Sequence, residues 1–396
     1  MDGGKSRHGD IGSCTGDDEM KKRLLLVNPV CGILSTGRIC TDIAKQYEAE
    51  GWEVKIAYGR NGEVPAQYKK YGVRIGNVVE VYIHALISRI FGYHATGWCS
   101  KSGTKRFVKW AEEWNPDLVW LHNLHDNYVN VEVLFKWIKS RPNMQVKWTH
   151  HDFWAMTGCC TYLNRGECGG WRNGCENCQW RQRRAGMFGG SQRREFLRKK
   201  ESFLGVKNMQ MISPSKWVAD LLKQSFLGCY PVEVIHNTID LSVFKHRESD
   251  FRKRYGLEDK KIILGVSGFW NSKNKGIEDF IALSDMLDDR YAIVLVGVDK
   301  KTKKRLPGRI IALERTNSAV ELAEIYSVAD VFFNPTKLDN FPTVNLEARA
   351  CGCPIVTYDS GGCAETVEGY ENAIVLKDEN KTPKAAVRAI ETALNR

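Results

Sequence analysis

Short apolar runs alternate with helix-forming segments along almost the whole chain, and this alternation limits the fold more than any other feature. The run at 23–28 leads through a loop at 29–37 (PVCGILSTG) to a helix at about 38–50, a stop at Gly51 and a strand at 52–58. A strand, a crossover helix and a second strand make a right-handed parallel unit, with its loop at the carboxyl edge where such sheets bind ligands. Gly32 and Gly37 permit close backbone approach there, although a lone glycine-rich loop without the full dinucleotide fingerprint is a weak signal. An amphipathic helix at 78–93, a helix at 101–114, a strand at 117–122, a helix at 130–139 and a strand at 145–149 continue the pattern. A strand at 208–212, a helix at 216–226 capped by Ser215 and a strand at 232–236 close the first half. The second half carries strands at 261–266, 291–296, 309–313, 330–333 and 354–358, with helices at 277–288, 318–328 and about 382–394. It predicts a second open parallel sheet covered on both faces.

A chain of 396 residues is too long for one ordinary core, so two domains are expected. The fold class is α/β, with two facing Rossmann-like domains and a cleft between them. Residues 1–19 are polar and predict a disordered extension, and Met20 would serve equally well as a start. Residues 20–236 form the first domain with a cysteine-rich insertion at about 158–180. Residues 237–259 are a polar linker, 260–380 the second domain and 381–396 a terminal helix. No run of about 18 apolar residues is present and the start lacks a signal-peptide pattern, which predicts a cytoplasmic protein.

The net charge of +11 favours an anionic partner: a nucleotide, a nucleic acid or a phospholipid surface. Eight basic residues stand against one acid within 181–200, either as a solvated face or as a patch touching a membrane or polyanion. Thirteen cysteines without an export signal argue for thiols or metal ligands over structural disulfides. Cys160, Cys168, Cys175 and Cys178 are spaced C-x7-C-x6-C-x2-C. The final Cys-x2-Cys is a good tetrahedral half-site and the first pair is looser, so structural zinc, packed thiols and disulfides all stay open.

The stretch at 336–362 carries the most chemistry. Asp339 lies on a loop and Glu347 eight positions on, in a helix whose N-terminus offers unpaired N–H groups to phosphate. Taken alone it is equally a capped surface loop. Lys273 and Lys275, between a strand and a helix started by Gly276, would neutralise a diphosphate without a metal ion, and no Asp-x-Asp motif is present. In the first half, the strand at 145–149 runs into His150-His151-Asp152, well placed for chemistry.

These motifs together resemble glycosyltransferase family 4, whose members are retaining enzymes of the GT-B fold. Asp339, seven residues and Glu347, followed by ARACGCPIV, resemble the family's Glu-(seven)-Glu signature and its following helix. NSKNKG resembles the basic diphosphate clamp. THHDFWAMTG with the cysteine cluster, and PSKW with PVEVIHNTID, resemble a bacterial subgroup building exopolysaccharide, capsule or O-antigen repeats. The match runs from about residue 21 to the C-terminus.

The resemblance implies transfer of a sugar from a nucleotide diphosphate sugar to a hydroxyl of a glycan or lipid-diphosphate-linked acceptor, with no catalytic cofactor. Glu347 would hold the ribose hydroxyls, Asp339 the donor sugar, and His151 the sugar near the reacting carbon. Gly37, Lys273, Lys275, Asn340, Phe341, Thr343 and Val344 complete the expected donor site. Two positions depart from the family: Asp339 stands for the first Glu, and Trp270 for an Arg five residues before Lys275, whose charge Lys273 is expected to supply. The basic segment and the stretch at 78–93 further suggest a peripheral position at the inner membrane face. The alternatives are a basic, zinc-stabilised nucleic-acid-binding protein and a sugar-nucleotide epimerase or phosphorylase on the same fold.

Overall fold

A computed structural model describes residues 21–60, 63–92, 99–163, 168–176, 178 and 191–396. The expected extension at 1–19 and the basic run at 181–190 lie outside the described residues.

The first sheet has seven parallel strands in the order β3-β2-β1-β4-β5-β6-β7. They are β1 Arg23–Val27, β2 Glu53–Tyr58, β3 Gly72–Arg74, β4 Leu118–Leu121, β5 Gln145–Thr149, β6 Met209–Ser213 and β7 Val232–Val234. Among the described residues, five helices accompany the central strands: α1 Leu34–Ala49, α2 Val78–Phe91, α3 Lys101–Trp114, α4 Val131–Lys139 and α5 Gln192–Phe203. A sixth, α6, spans Lys216–Lys223 and starts at Ser215, whose side chain accepts the Val218 N–H. Because helices cover both faces, β1 is apolar from Leu24 on: Leu24 and Leu26 enter one core layer, Leu25 and Val27 the other.

The second sheet has six strands in the order β10-β9-β8-β11-β12-β13. They are β8 Lys261–Val266, β9 Tyr291–Val296, β10 Ile310–Leu313, β11 Val331–Asn334, β12 Ile355–Tyr358 and β13 Ala373–Leu376. Its helices are α7 Phe251–Tyr255, α8 Ile277–Met286, α9 Lys300–Lys303, α10 Ala319–Val328, α11 Thr343–Ala350 and α12 Pro383–Leu394. Here too alternate residues divide between layers, with Ile263 on one side and Ile262 and Leu264 on the other. In each sheet the strand order reverses at its first strand, β1 or β8, and a crevice opens there beyond the carboxyl ends.

Three local expectations are corrected, and two strands are added. The helix expected at 38–50 begins at Leu34, so the loop after β1 is shorter and Gly37 lies inside α1. Part of the supposed linker belongs to the second domain, since α7 buries Phe251 in its core beside Leu257. The end of the basic run is not wholly a solvated patch. Residues 192–203 form α5, and Lys199 is fully buried, donating to the Trp154 carbonyl at 2.5 Å over that indole ring. Finally β3 and β13, three and four residues long, were too short to show a period.

Candidate active site

The two carboxyl edges face each other across a cleft of about 2050 Å³, far larger than a typical small-ligand pocket and spacious enough for two substrates.

On the second-half wall the loop after β11 is tied down from beneath. Asn334 donates to Asn345 Oδ1 at 2.8 Å, and Asn345 donates to Thr366 at 2.8 Å, so a buried amide chain fixes the loop to α11. Gly276 has φ +71°, and a Cβ there would meet the Pro335 carbonyl at 2.5 Å, so only glycine lets the turn press against this loop. That approach brings Lys275 Nζ to 2.6 Å from Asp339 Oδ2. Burial opposes the Lys275 charge, but the Asp339 carboxylate outweighs it and holds the ammonium above its usual range. α11 starts at Pro342 with no side-chain cap, leaving its N-terminal N–H groups to the cleft, where Thr343 and Val344 line the wall. Glu347 follows one turn later and accepts from the Tyr326 hydroxyl at 3.2 Å. Burial pushes its carboxyl up to about 7, against the hydroxyls of Tyr326 and Thr343 and the charge of Arg38 from α1 across the cleft.

On the first-half wall a histidine network follows β4 and β5. His151 Nε2 lies 2.9 Å from His122 Nδ1, with the two rings nearly parallel. His125 is gripped by two carboxylates, Asp126 Oδ1 at 2.9 Å from Nδ1 and Asp152 Oδ2 at 2.6 Å from Nε2. Burial works against charge on His125, yet the two carboxylates together raise it to about 10 and keep it an imidazolium. His151 goes the other way. Burial lowers it to about 4, Asp152 opposing and His125 reinforcing, so it is neutral at physiological pH. His122 is fully buried, is pushed down by burial and by His151, and has a second nitrogen, Nε2, without a partner. An unsatisfied buried N–H costs more than an unused imine lone pair. The favoured arrangement therefore has His122 donating from Nδ1 to His151 Nε2, leaving His151 its Nδ1–H.

Of the expected residues, His151, Lys275, Asp339, Asn340, Phe341, Thr343, Val344 and Glu347 all line this one cleft. Gly37 and Lys273 do not. Gly37 is buried within α1, where a Cβ would meet the Val30 side chain at 3.1 Å, and Lys273 shares a one-turn helix with Lys275 but does not line the wall. Trp270 is a core residue, donating Nε1–H to the Val296 carbonyl at 2.9 Å and packing edge-on against Phe280. The second cation of this wall is Arg315, among the described lining residues. Asn340 and Phe341 also join the halves: Asn340 Nδ2 donates to the His151 carbonyl at 2.6 Å, and Phe341 stacks on His236 at 4.6 Å.

Sequence reasoning missed Arg38, His122, His125, Asp126 and Arg315. A signal existed for two of these: the pair His125-Asp126 after β4 repeats the pair His151-Asp152 after the neighbouring β5. Among the described residues no group of three or more His, Cys, Asp or Glu is placed to hold a metal ion, Cys160, Cys168, Cys175 and Cys178 included. The Cys175 sulfur instead accepts the Gly158 N–H at 3.1 Å, and burial pushes its thiol up to about 11.

Two Rossmann-like sheets facing each other across a cleft define the GT-B architecture. Residues 36–243 match the model of Glycosyltransferase Family 4, and residues 247–396 that of Glycosyl transferases group 1. The chain belongs to glycosyltransferase family 4. It is 23% identical over 275 residues to the putative colanic acid biosynthesis glycosyl transferase WcaC of Escherichia coli, covering 67% of this chain and 65% of that one. It is 29% identical over 139 residues to the N,N'-diacetylbacillosaminyl-diphospho-undecaprenol alpha-1,3-N-acetylgalactosaminyltransferase of Campylobacter jejuni, covering 33% of this chain and 35% of that one. The match thus spans less than two thirds of the length of either relative. Among solved structures, sucrose-phosphate synthase from Thermosynechococcus elongatus superposes with a TM-score of 0.66 at 17% identity, covering 94% of this chain and 90% of that one. HepE from Anabaena, solved with UDP and glucose, gives 0.59 at 16% identity over 94% and 95%. Family membership leaves the nucleic-acid-binding alternative without support.

Proposed function

We propose that the protein transfers a sugar from a nucleoside diphosphate sugar to a hydroxyl of a lipid-diphosphate-linked glycan in surface polysaccharide synthesis, retaining the anomeric configuration. The observation that carries this reading is the Lys275–Asp339 pair beside the uncapped start of α11, with Glu347 one turn inside. Glu347 accepts the ribose hydroxyls in its ionised form. Lys275 and the α11 N–H groups take up the charge of the departing diphosphate, so no catalytic metal is assigned. Asp339 contacts the sugar once a bound diphosphate competes for Lys275. His151, neutral, donates a hydrogen bond to the sugar close to the reacting carbon. The bond from the anomeric carbon to the phosphate oxygen breaks, a bond from that carbon to the acceptor oxygen forms on the same face, and the acceptor proton passes to the departing phosphate oxygen. The named relatives in colanic acid synthesis and on a diphospho-undecaprenol carrier support the acceptor class. The work is placed at the cytoplasmic face of the inner membrane.

A thermal-shift panel of nucleoside diphosphates and their sugars tests the donor site, because a ligand that binds the native state raises its melting temperature. One nucleotide base should stand out, and chelation should leave its effect unchanged. Product analysis with and without acceptor then separates transfer from epimerisation or phosphorolysis. A panel in which no nucleoside diphosphate stabilises the protein would overturn the assignment.

A further inference from the structure

Helix α2 has its polarity reversed. The side that meets the protein is largely polar: beside Val81, which enters the core, His84 Nδ1 lies 2.7 Å from Ser100 Oγ, and Ser88 donates to Asn127 Oδ1 at 2.8 Å. Glu80 closes a capping box with Asn77 and accepts from Ser102 at 2.7 Å. The opposite side is apolar and open to solvent. Val79 is 63% exposed, Tyr82 63%, Ile83 49% and Leu86 57%. Their spacing of three, four and seven residues makes a continuous stripe, which in a soluble domain normally turns inward. Single exposed apolar residues are ordinary, but a contiguous stripe marks a contact surface.

Two further observations say what the stripe meets. The helix borders the cleft, since Ala85, Ser88 and Arg89 line its wall. Beside it α3 is held by an ion pair from Arg106 to Glu80 and exposes Lys101, Lys105 and Lys109, one per turn. An apolar stripe flanked by lysines and arginine, on a chain of net charge +11, complements anionic headgroups over an acyl layer. Among the described residues no helix is long and apolar enough to cross a membrane, so the contact is interfacial.

We propose that the outer face of α2 docks on an anionic lipid surface and holds the mouth of the cleft at headgroup depth. This deepens the reading above and rests on it for one point, that a lipid-linked acceptor presents its diphosphate and first sugars there. Lipid binding itself requires no transfer, so the two readings fail separately.

The test is sedimentation of the full chain with vesicles of equimolar phosphatidylcholine and phosphatidylglycerol, and with phosphatidylcholine alone. Binding to the anionic vesicles should weaken as salt is raised. The double variant Ile83→Ser/Leu86→Ser should lose at least about tenfold in vesicle affinity. Its melting temperature and its nucleotide-induced shift should match those of the parent, because both side chains point to solvent. Lys105→Glu/Lys109→Glu should weaken binding to the anionic vesicles alone. Failure of the parent to bind, or equal binding by the serine variant, would overturn the proposal. So would a parent dimer that the serine variant dissolves, because a second copy would then cover the stripe.

Discussion

At the scale of single residues, Glu347 and His151 have charge states set by burial, and both make measurable predictions. Glu347→Ala should abolish transfer and leave the circular dichroism spectrum unchanged. Glu347→Gln separates charge from shape. The carboxyl is raised from 4.5 to about 7, so holding it ionised costs stability. That cost is absent below pH 4.5, grows between 4.5 and 7, and is constant above, reaching at most a few kcal/mol. Glu347→Gln should therefore melt higher than the parent at pH 8 and equally at pH 4.5; an unchanged difference across this window would contradict the burial argument. For His151 the prediction concerns a tautomer. Nitrogen-15 spectra of the parent should show the proton on Nδ1. His122→Leu should lose that bias and lower kcat more than it raises KM. His122→Asn, whose amide can still donate toward His151 Nε2, should restore both.

At the scale of elements, the turn between β8 and α8 illustrates how one stretch serves two purposes. Its first part anchors, since Trp270 fills the core between Phe280 and the end of β9. Its last part acts, because Gly276 lets Lys275 reach Asp339. The two should separate by mutation. Trp270→Ala should cost about 3–5 kcal/mol in urea denaturation through the cavity it leaves. Lys275→Ala should change stability far less while weakening the stabilisation given by nucleoside diphosphates. If Trp270→Ala left stability untouched and removed nucleotide binding alone, the residue would belong to the clamp after all. The strands and helices of this turn were legible in the sequence because buried parallel strands are apolar on both faces and helices repeat every three to four residues. Lys273 lies outside the cleft lining while its neighbour Lys275 is in it, because spacing along a chain does not say on which side of a one-turn helix a side chain emerges.

At the scale of the whole molecule, specific contacts join the halves. Glu365 of the second half accepts the Lys216 N–H at 2.7 Å and the Trp217 N–H at 2.9 Å, capping α6 of the first half. A Cβ at Gly362 would stand 3.0 Å from the Ser215 side chain and even nearer the Asn340 carbonyl, so the glycine allows this approach. Glu365→Ala should cost about 0.5–2 kcal/mol, the usual worth of such a cap. Because the cap spans two domains, the variant should also show a larger radius of gyration by small-angle scattering without nucleotide. An unchanged radius would mean that Asn340–His151 and Phe341–His236 hold the halves without it.

Much of this protein was already determined by its amino-acid order. Two parallel sheets with their loop-bearing edge at the strand ends follow from local periodicity, and short motifs in three separate segments marked Glu347, Asp339, Lys275 and His151, which the structure brings to one cleft. Only the tertiary structure decided which residues meet from distant segments. It joined His122 to His151 and His125 to Asp152, and brought the charge of Arg38 within reach of Glu347's field. It also buried Lys199 inside a basic run and turned the apolar stripe of α2 outward. The physical reason is that a periodic pattern shows that a face is apolar but not what lies opposite it. Burial and charge pairing, which set the site's protonation states, are properties of that opposing surface.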